Sequence, residues 1–295
     1  MKKFLLTSTL LLTALLAGAQ TKIAPQMQKG MQKVYVAETI TSIAGQKPIT
    51  MIVETQYTVT DATADGYVLD VTVTDVQTDA DKAGSMGRIL SLGTEIMKDV
   101  RQTLATDKDG KVTKILNYQE LRDSAEKVID KILKEVPATP GISTEVIKEQ
   151  IAGQITEESI LQQMQMNRSP LALNGMTITT GMQDEYFHLQ DIKMKRTYSI
   201  GQDGSIQTTS TTDITPQELK QMIVGQAEKL MPEQADMIRQ NIDAIISSGM
   251  MKFKIDAKDV YTFQTDGWVS GITSEMNSDT MGQKSTIKST IRIKQ

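Results

Sequence analysis

The sequence predicts an α+β fold in which a long, curved antiparallel β-sheet with hairpins packs against several amphipathic helices. Three observations predict it. Stretches with an apolar period of two lie at both ends and in the middle of the chain, Asp-Gly pairs sit between such stretches, and helical periodicity is confined to blocks inserted among them.

The first strand block runs from Val34 to Val76. Ile49, Met51, Val53, Tyr57 and Val59 share one side, with Thr50, Glu54, Gln56, Thr58 and Thr60 on the other, the alternation of a half-solvated antiparallel sheet. Val71 and Val73 against Asp70, Thr72 and Thr74 repeat it. Asp65-Gly66, Asp109-Gly110, Asp203-Gly204 and Asp266-Gly267 are hairpin signals, because Asp-Gly readily takes up positive φ. Tyr198-Ser199-Ile200 before the third pair matches Tyr261-Thr262-Phe263 before the fourth, through internal duplication or through shared hairpin chemistry. At the C-terminus Met251, Phe253 and Ile255 alternate with Lys252, Lys254 and Asp256, and Ile287, Ile291 and Ile293 with Lys288, Arg292 and Lys294.

Helical spacing appears between these blocks. Leu121, Ala125, Val128, Ile129, Ile132 and Leu133 form one stripe, opened by Asn117 with Glu120 as an N-cap pair and closed before Pro137. Val146, Ile147, Ile151 and Ile155 form a second stripe that continues through Ile160, Leu161 and Met164, with a break at Thr156. Thr215-Pro216-Gln217-Glu218 is a complete helix start, followed by Leu219, Met222, Ile223 and Leu230. A partner helix runs from Pro232 through Ala235, Ile238, Ile242, Ile245 and Ile246 to Gly249. Gly84, Gly87 and Gly93 among Ile89, Leu92, Ile96 and Val100 suggest close helix packing rather than a phosphate loop. Residues 20–295 are expected to form a single domain, with two similar lobes dividing near 167–185 as a finer expectation.

Lys2 and Lys3, the apolar run Phe4 to Leu16, and Ala17-Gly18-Ala19 predict a signal peptide cleaved after Ala19 and a periplasmic or secreted product. With no cysteine, lipoprotein acylation at a new N-terminal thiol and disulfide staples are both excluded, so stability must come from an apolar core. No second apolar run long enough to span a bilayer follows.

A net charge of −4 provides no basic field for nucleic acid, and 4% aromatic residues with one tryptophan argue against a carbohydrate surface of stacked rings. His188 is the sole imidazole, on a strand beside Phe187 and Leu189, and reads as structural. Neither a Gly-x-Ser-x-Gly elbow nor a His-Glu-x-x-His pair is present. Asp107-x-Asp109-Gly110 lacks the further ligands of a calcium loop, and Glu157 and Glu158 read as favourable charges at a helix start. Asp123-Ser124-Ala125 and Asp279-Thr280-Met281 match a short pattern O-glycosylated after export in some bacteria, and chance matches are frequent in so Thr-rich a chain. No cofactor, catalytic residue or metal site is assigned.

Methionine is frequent, at 18 residues. Met164, Met166, Met176 and Met182 cluster between a central helix and the next strand, where flexible thioethers suit an apolar pocket, cuprous-copper ligation or plain core filling. Core filling is the simplest of the three, and the pocket is the functional alternative.

The segment Thr106-Asp107-Lys108-Asp109-Gly110-Lys111-Val112-Thr113-Lys114-Ile115, followed by Asn117 and Glu120-Leu121 behind long Thr-rich strands, resembles exported bacterial families of unknown function. That resemblance implies no catalytic residues. In shape, long antiparallel strands cupping helices are similar to the periplasmic lipoprotein-carrier fold, which implies an apolar concavity for acyl chains. The expected function is a non-enzymatic exported protein holding an apolar, lipid-like ligand. The alternatives are an interaction module that meets an envelope protein, and an envelope hydrolase using two carboxylates.

Overall fold

The computed structural model describes residues 20–79, 98, 100–135, 148–149, 152–153, 155–166, 168–188, 192–212, 214–230, 235–247, 253–280 and 282–294. β1 (Gln20–Lys22) pairs with β7 (Thr177–Thr179) as a separate two-stranded ribbon. The first half of the chain is otherwise a sequential meander of β2 (Gln32–Ile43), β3 (Ile49–Ala62), β4 (Tyr67–Thr78), β5 (Arg101–Thr106) and β6 (Val112–Ile115). The second half runs through β8 (Gln183–His188), β9 (Ile192–Ile200), β10 (Ile206–Thr212), β11 (Phe253–Phe263), β12 (Val269–Thr280) and β13 (Gln283–Ile293). β13 pairs with β2 and fuses the halves into one antiparallel sheet, ordered β6-β5-β4-β3-β2-β13-β12-β11-β10-β9-β8. Helices α1 (Tyr118–Glu135) and α2 (Glu157–Met166) lie between the halves, and α3 (Pro216–Leu230) and α4 (Ala235–Ser247) between β10 and β11.

The strands form where the period-two pattern places them. In β9 Ile192, Met194, Arg196 and Tyr198 are buried while Lys193 and Lys195 are exposed, and β11 buries Ile255, Ala257, Asp259 and Tyr261. All four Asp-Gly pairs close hairpins, β3–β4, β5–β6, β9–β10 and β11–β12. In an antiparallel meander turns alternate between ends, so these four lie at the same end of the sheet. Asp203 and Asp266 close their turns alike: each carboxylate accepts from the backbone N–H two residues on, at 3.1 Å.

That end of the sheet is drawn together. A Cβ at Gly110, in the β5–β6 turn, would sit 3.2 Å from Pro25 Cγ, and one at Gly267, in the β11–β12 turn, 3.0 Å from Pro25 Cα. β5 and β12 are five neighbours apart in the sheet, roughly 24 Å if the sheet were flat. Strand ends that meet on one proline require the sheet to curl, so its inward face is concave. Two breaks in the β3–β4 register, between Glu54 and Thr55 and between Val59 and Asp61, are the kind of bulge that bends a ladder.

Residues 23–31 and 168–176 close the drawn-in end. Gln26 N–H donates to Asp266 O at 2.8 Å, Gly30 N–H to Val59 O at 2.8 Å, and Ile23 N–H to Met176 O at 2.9 Å. Trp268, 1% exposed, donates its indole N–H to Gln26 O at 3.0 Å. Tyr35 donates to Val269 O at 2.7 Å and meets the Tyr57 ring edge-on, with centroids 5.5 Å apart. Ile23, Tyr35, Val59, Leu69, Leu104, Ile115, Tyr198, Ile206, Tyr261 and Trp268 belong to one buried cluster that runs from β6 to β9.

The helix starts follow their capping chemistry with one departure. Thr215 and Glu218 exchange hydrogen bonds as a capping box, Thr215 N–H to Glu218 Oε2 at 2.8 Å and Glu218 N–H to Thr215 Oγ1 at 3.2 Å. Asn117 instead turns its side-chain oxygen away from the α1 backbone, accepting from Thr103 N–H at 2.9 Å, and its amide donates to Arg101 O at 2.7 Å. It ties the start of α1 to β5 rather than capping the helix. The break expected at Thr156 is present, and α2 begins just after it. α3 and α4 bury Leu219, Val224 and Ile242 against each other, with Ile192, Met194 and Ile255 of the sheet packed with Met222 and Phe253. The expectations for 84–96, Pro137, 146–147, Ile151, Pro232, Gly249 and 251–252 fall outside the described residues.

Trp268→Ala is expected to destabilise the protein by about 3–5 kcal/mol, against less than about 0.5 kcal/mol for the exposed Met237→Ala. Urea denaturation reads both. A Trp268→Ala loss below about 1 kcal/mol would show that residues 23–31 close the sheet without supporting it.

Candidate functional site

α1 and α2 cross the inward face of β3, β4 and β5 and leave between themselves and the sheet an open cavity of about 590 Å³. The strands contribute Thr55, Tyr57, Val71, Val73, Gln102 and Leu104 to its wall, and α1 contributes Leu121, Ser124, Ala125, Val128 and Ile129. Val100, Ile155, Ile160, Met164, Ser169 and Leu171 complete it. The volume falls in the range of small-molecule sites, and the wall is apolar with a few polar groups, as such sites are.

Side-chain bonds place the α2 side of this wall. Glu157, at the start of α2, accepts from Ile115 N–H of β6 at 2.9 Å, a cross-link between elements where the sequence suggested only a favourable helix-end charge. Tyr118 of α1 donates to Ile155 O at 2.8 Å. Just past α2, Arg168 Nε donates to Asp259 Oδ1 on β11 at 2.9 Å. That ion pair positions Ser169 and Leu171, the wall residues that follow it.

Asp259 is 8% exposed and points inward from the middle of the sheet. Thr208 donates to its Oδ2 at 3.0 Å and Ser274 to its Oδ1. The register continues the polar row from Ser274 to Ser289 and Thr39, whose hydroxyls meet at 3.0 Å. One step away along the strands, Ile206, Tyr261, Ile272 and Ile291 form an all-buried row. Arg196, 6% exposed, makes a two-pronged bond to Asp184, Nε–Oδ1 2.9 Å and NH2–Oδ2 2.6 Å, with its guanidinium 5.0 Å from the ring centres of both Tyr186 and Tyr198. The concave face therefore carries two fixed ion pairs beyond the cavity. On the opposite face a depression of about 650 Å³ is lined by charged and polar residues, among them Lys195, Thr209, Asp256, Lys258, Glu275 and Asn277.

The four methionines separate. Met164 lines the cavity, while Met176 and Met182 pack half-buried against the main core and are absent from the described wall. The Met166 side chain lies outside the described residues, as do Leu189 and the side chains of Phe187 and His188. Ser124 faces the cavity, whereas Thr280 is exposed at the end of β12. In the segment resembling a calcium loop, Asp107 Oδ1 accepts from Asp109 N–H and Lys111 N–H at 2.9 Å, and Asp109 pairs with Lys22 at 2.7 Å. Among the described residues no cluster of three metal-ligating side chains occurs, no carboxylate lines the cavity, and no helix is long and apolar enough to cross a membrane.

Sequence reasoning missed Asp259 and Arg196, although the signal was there. Asp259 occupies the apolar phase of Ile255-x-Ala257-x-Asp259-x-Tyr261, and Arg196 that of Met194-x-Arg196-x-Tyr198. An ionisable residue in the inward phase of a strand must find a partner.

No family model matches this chain, and no curated protein sequence does. Among solved structures it is similar to one described as lipid-protein interactions in lipovitellin, with a TM-score of 0.41 and 8% identity over 92% of this chain. The aligned part is 26% of that chain's length.

Burial pushes the Tyr57 phenol up to about 12, with the neighbouring Ser169 hydroxyl pulling the other way. Burial also raises Tyr35, Tyr198 and Tyr261. The folded chain holds these protons where the unfolded chain releases them, so their stabilisation is complete below the ordinary value of 10.0 and is lost as pH rises. The unfolding free energy read from urea denaturation is expected to fall between about pH 10 and 12, and Tyr57→Phe to lessen the fall by on the order of 2 kcal/mol. A free energy flat across that window contradicts the assignment.

Proposed function

We propose that this chain is a non-enzymatic exported binding protein that holds an apolar, lipid-like ligand between α1, α2 and strands β3 to β5. The observation that carries the reading is the open cavity of about 590 Å³, walled by Val71, Val73, Leu104, Leu121, Val128 and Ile160. Removing such apolar surface from water is favourable by about 25 cal/mol per Å², so a fitting apolar guest gains from entry.

Export is part of the proposal. It is supported by the charged and apolar pattern of residues 2–16 and by Ala17-Gly18-Ala19. Gln20, the first residue after the expected cleavage, is already paired in β1 with Thr179, so cleavage there leaves the ribbon whole. The absence of carboxylates from the described cavity wall weighs against placing a two-carboxylate hydrolase at this site.

The test is native mass spectrometry of the protein purified from its own compartment, followed by extraction of whatever leaves it on denaturation. A stoichiometric apolar adduct is expected. Ala125→Trp, which fills the cavity from α1, is expected to lose that adduct while keeping the parent's circular dichroism. Adding the extracted ligand back at 100 times its Kd is expected to stabilise the parent by about 2.7 kcal/mol. A bare, homogeneous parent chain would sink the carrier reading and favour an interaction module that meets an envelope protein.

A further inference from the structure

The cavity wall is unusual in one chemical respect. Charged residues make up 23% of the chain, yet among the described residues none of Asp, Glu, Lys, Arg or His lines this space. The polar wall residues among those described are all neutral: Thr55 from β3, Gln102 from β5, Ser124 from α1, Ser169 after α2, and the phenol of Tyr57.

Two of the five are engaged within the protein. The Ser169 hydroxyl accepts from Leu171 N–H at 3.1 Å, and Tyr57 is beside Ser169. The side chains of Thr55, Gln102 and Ser124 make no hydrogen bond among the described residues. A primary amide and two hydroxyls, each able both to donate and to accept, thus face an apolar space from three different elements.

An ionised headgroup drawn into this space would lose its water and find no opposite charge on the described wall, the most unfavourable way to bury an ion. A hydroxyl, ester or amide would find both donors and acceptors. We infer that the cavity selects an uncharged amphiphile, an acyl ester or long-chain alcohol whose neutral oxygen function reaches Gln102, Ser124 and Thr55, and that it excludes carboxylates, phosphates and ammonium groups. This rests on the binding function proposed above and names the ligand class for that site.

Displacement of the neutral dye Nile red from the delipidated full-length mature protein tests it. The competitors are monododecanoylglycerol, dodecanoate and dodecyltrimethylammonium, at about pH 8 and below their micelle concentrations. The monoester is expected to bind at least about tenfold more tightly than either ion, a difference of about 1.4 kcal/mol. Equal displacement by all three overturns the charge selection and leaves apolar binding standing. If Nile red does not bind and no competitor protects the protein against heat, the binding reading itself fails.

Gln102→Lys, checked for folding by circular dichroism, is expected to raise dodecanoate affinity at least about tenfold relative to the monoester by supplying the missing counter-charge. An unchanged ratio in the folded variant overturns the placement of the polar group at Gln102. Should that variant not fold, Gln102→Leu is expected to lower the monoester-to-Nile red affinity ratio several-fold, and an unchanged ratio overturns the same placement.

Discussion

Pro25 touches two turns whose strands lie five neighbours apart in the sheet, and the rest of the architecture depends on that convergence. A flat antiparallel sheet of this width would need a continuous layer over one face to hide its apolar rows. Drawn together at one end, the sheet covers much of that face with itself, and the short stretches 23–31 and 168–176 suffice to close the end. The glycines at 110 and 267 matter for this reason as well as for their positive φ, since a side chain at either would meet Pro25 or its neighbours. Curvature also gives the sheet an inside, and a cavity between sheet and helices requires one.

The concave face is not uniformly apolar, and its polar residues act in register. Asp259, Thr208 and Ser274 come from three adjacent strands at paired positions, so their hydrogen bonds hold only while β10, β11 and β12 keep their alignment. Sliding β11 by one residue would turn Asp259 to the outer face and leave Arg168, Thr208 and Ser274 without their partner. Burying an ion pair is weak evidence for stability, but losing one partner of it is expensive. The Arg168–Asp259 pair therefore acts as a positional lock, holding the chain after α2 to the far half of the sheet and with it one wall of the cavity. Arg196, clasped by Asp184 and stacked between two tyrosines, fixes the β8–β9 edge in a similar way.

Much of the strand pattern was legible, because strands such as β9 and β11 bury one face and show the other to water. Ile49, Met51, Val53, Tyr57 and Val59 do share a phase, and the four Asp-Gly pairs do close hairpins. Sheet order was not legible, since the β13–β2 pairing joins segments some 250 residues apart and alternation alone does not name a partner. The cavity was beyond the sequence for a related reason. Met164 was singled out as a flexible apolar residue, but Met176 and Met182 carry the same local signal and pack into the core instead. What distinguishes wall from filling is the size of the opposing residue, and that is a property of the assembled layers. Ser124 shows the same limit, since its match to a short glycosylation pattern gave no sign that its side chain lies on the helix face turned to the sheet.

The two helix pairs make this contrast physical. Over β9 to β11, Met222 of α3 and Ile214 just before that helix meet Met194, Ile255 and Phe253 of the sheet, and large side chains on both layers close the gap. Over β3 to β5, α1 presents Ser124, Ala125 and Val128, and the strands answer with Thr55, Val71 and Val73. With larger Tyr57, Gln102 and Leu104 on the strands and Leu121 and Ile129 on α1 around them, the two layers stand apart here and the cavity lies between them. At about 24 cal/mol per Å³, a dry void of this volume would destabilise the chain by on the order of 10 kcal/mol, comparable with the whole net stability of a domain. The space is therefore filled, by water or by a guest. Water against valine and leucine walls is the costlier occupant, and under the proposed binding function that difference favours an apolar guest between the layers.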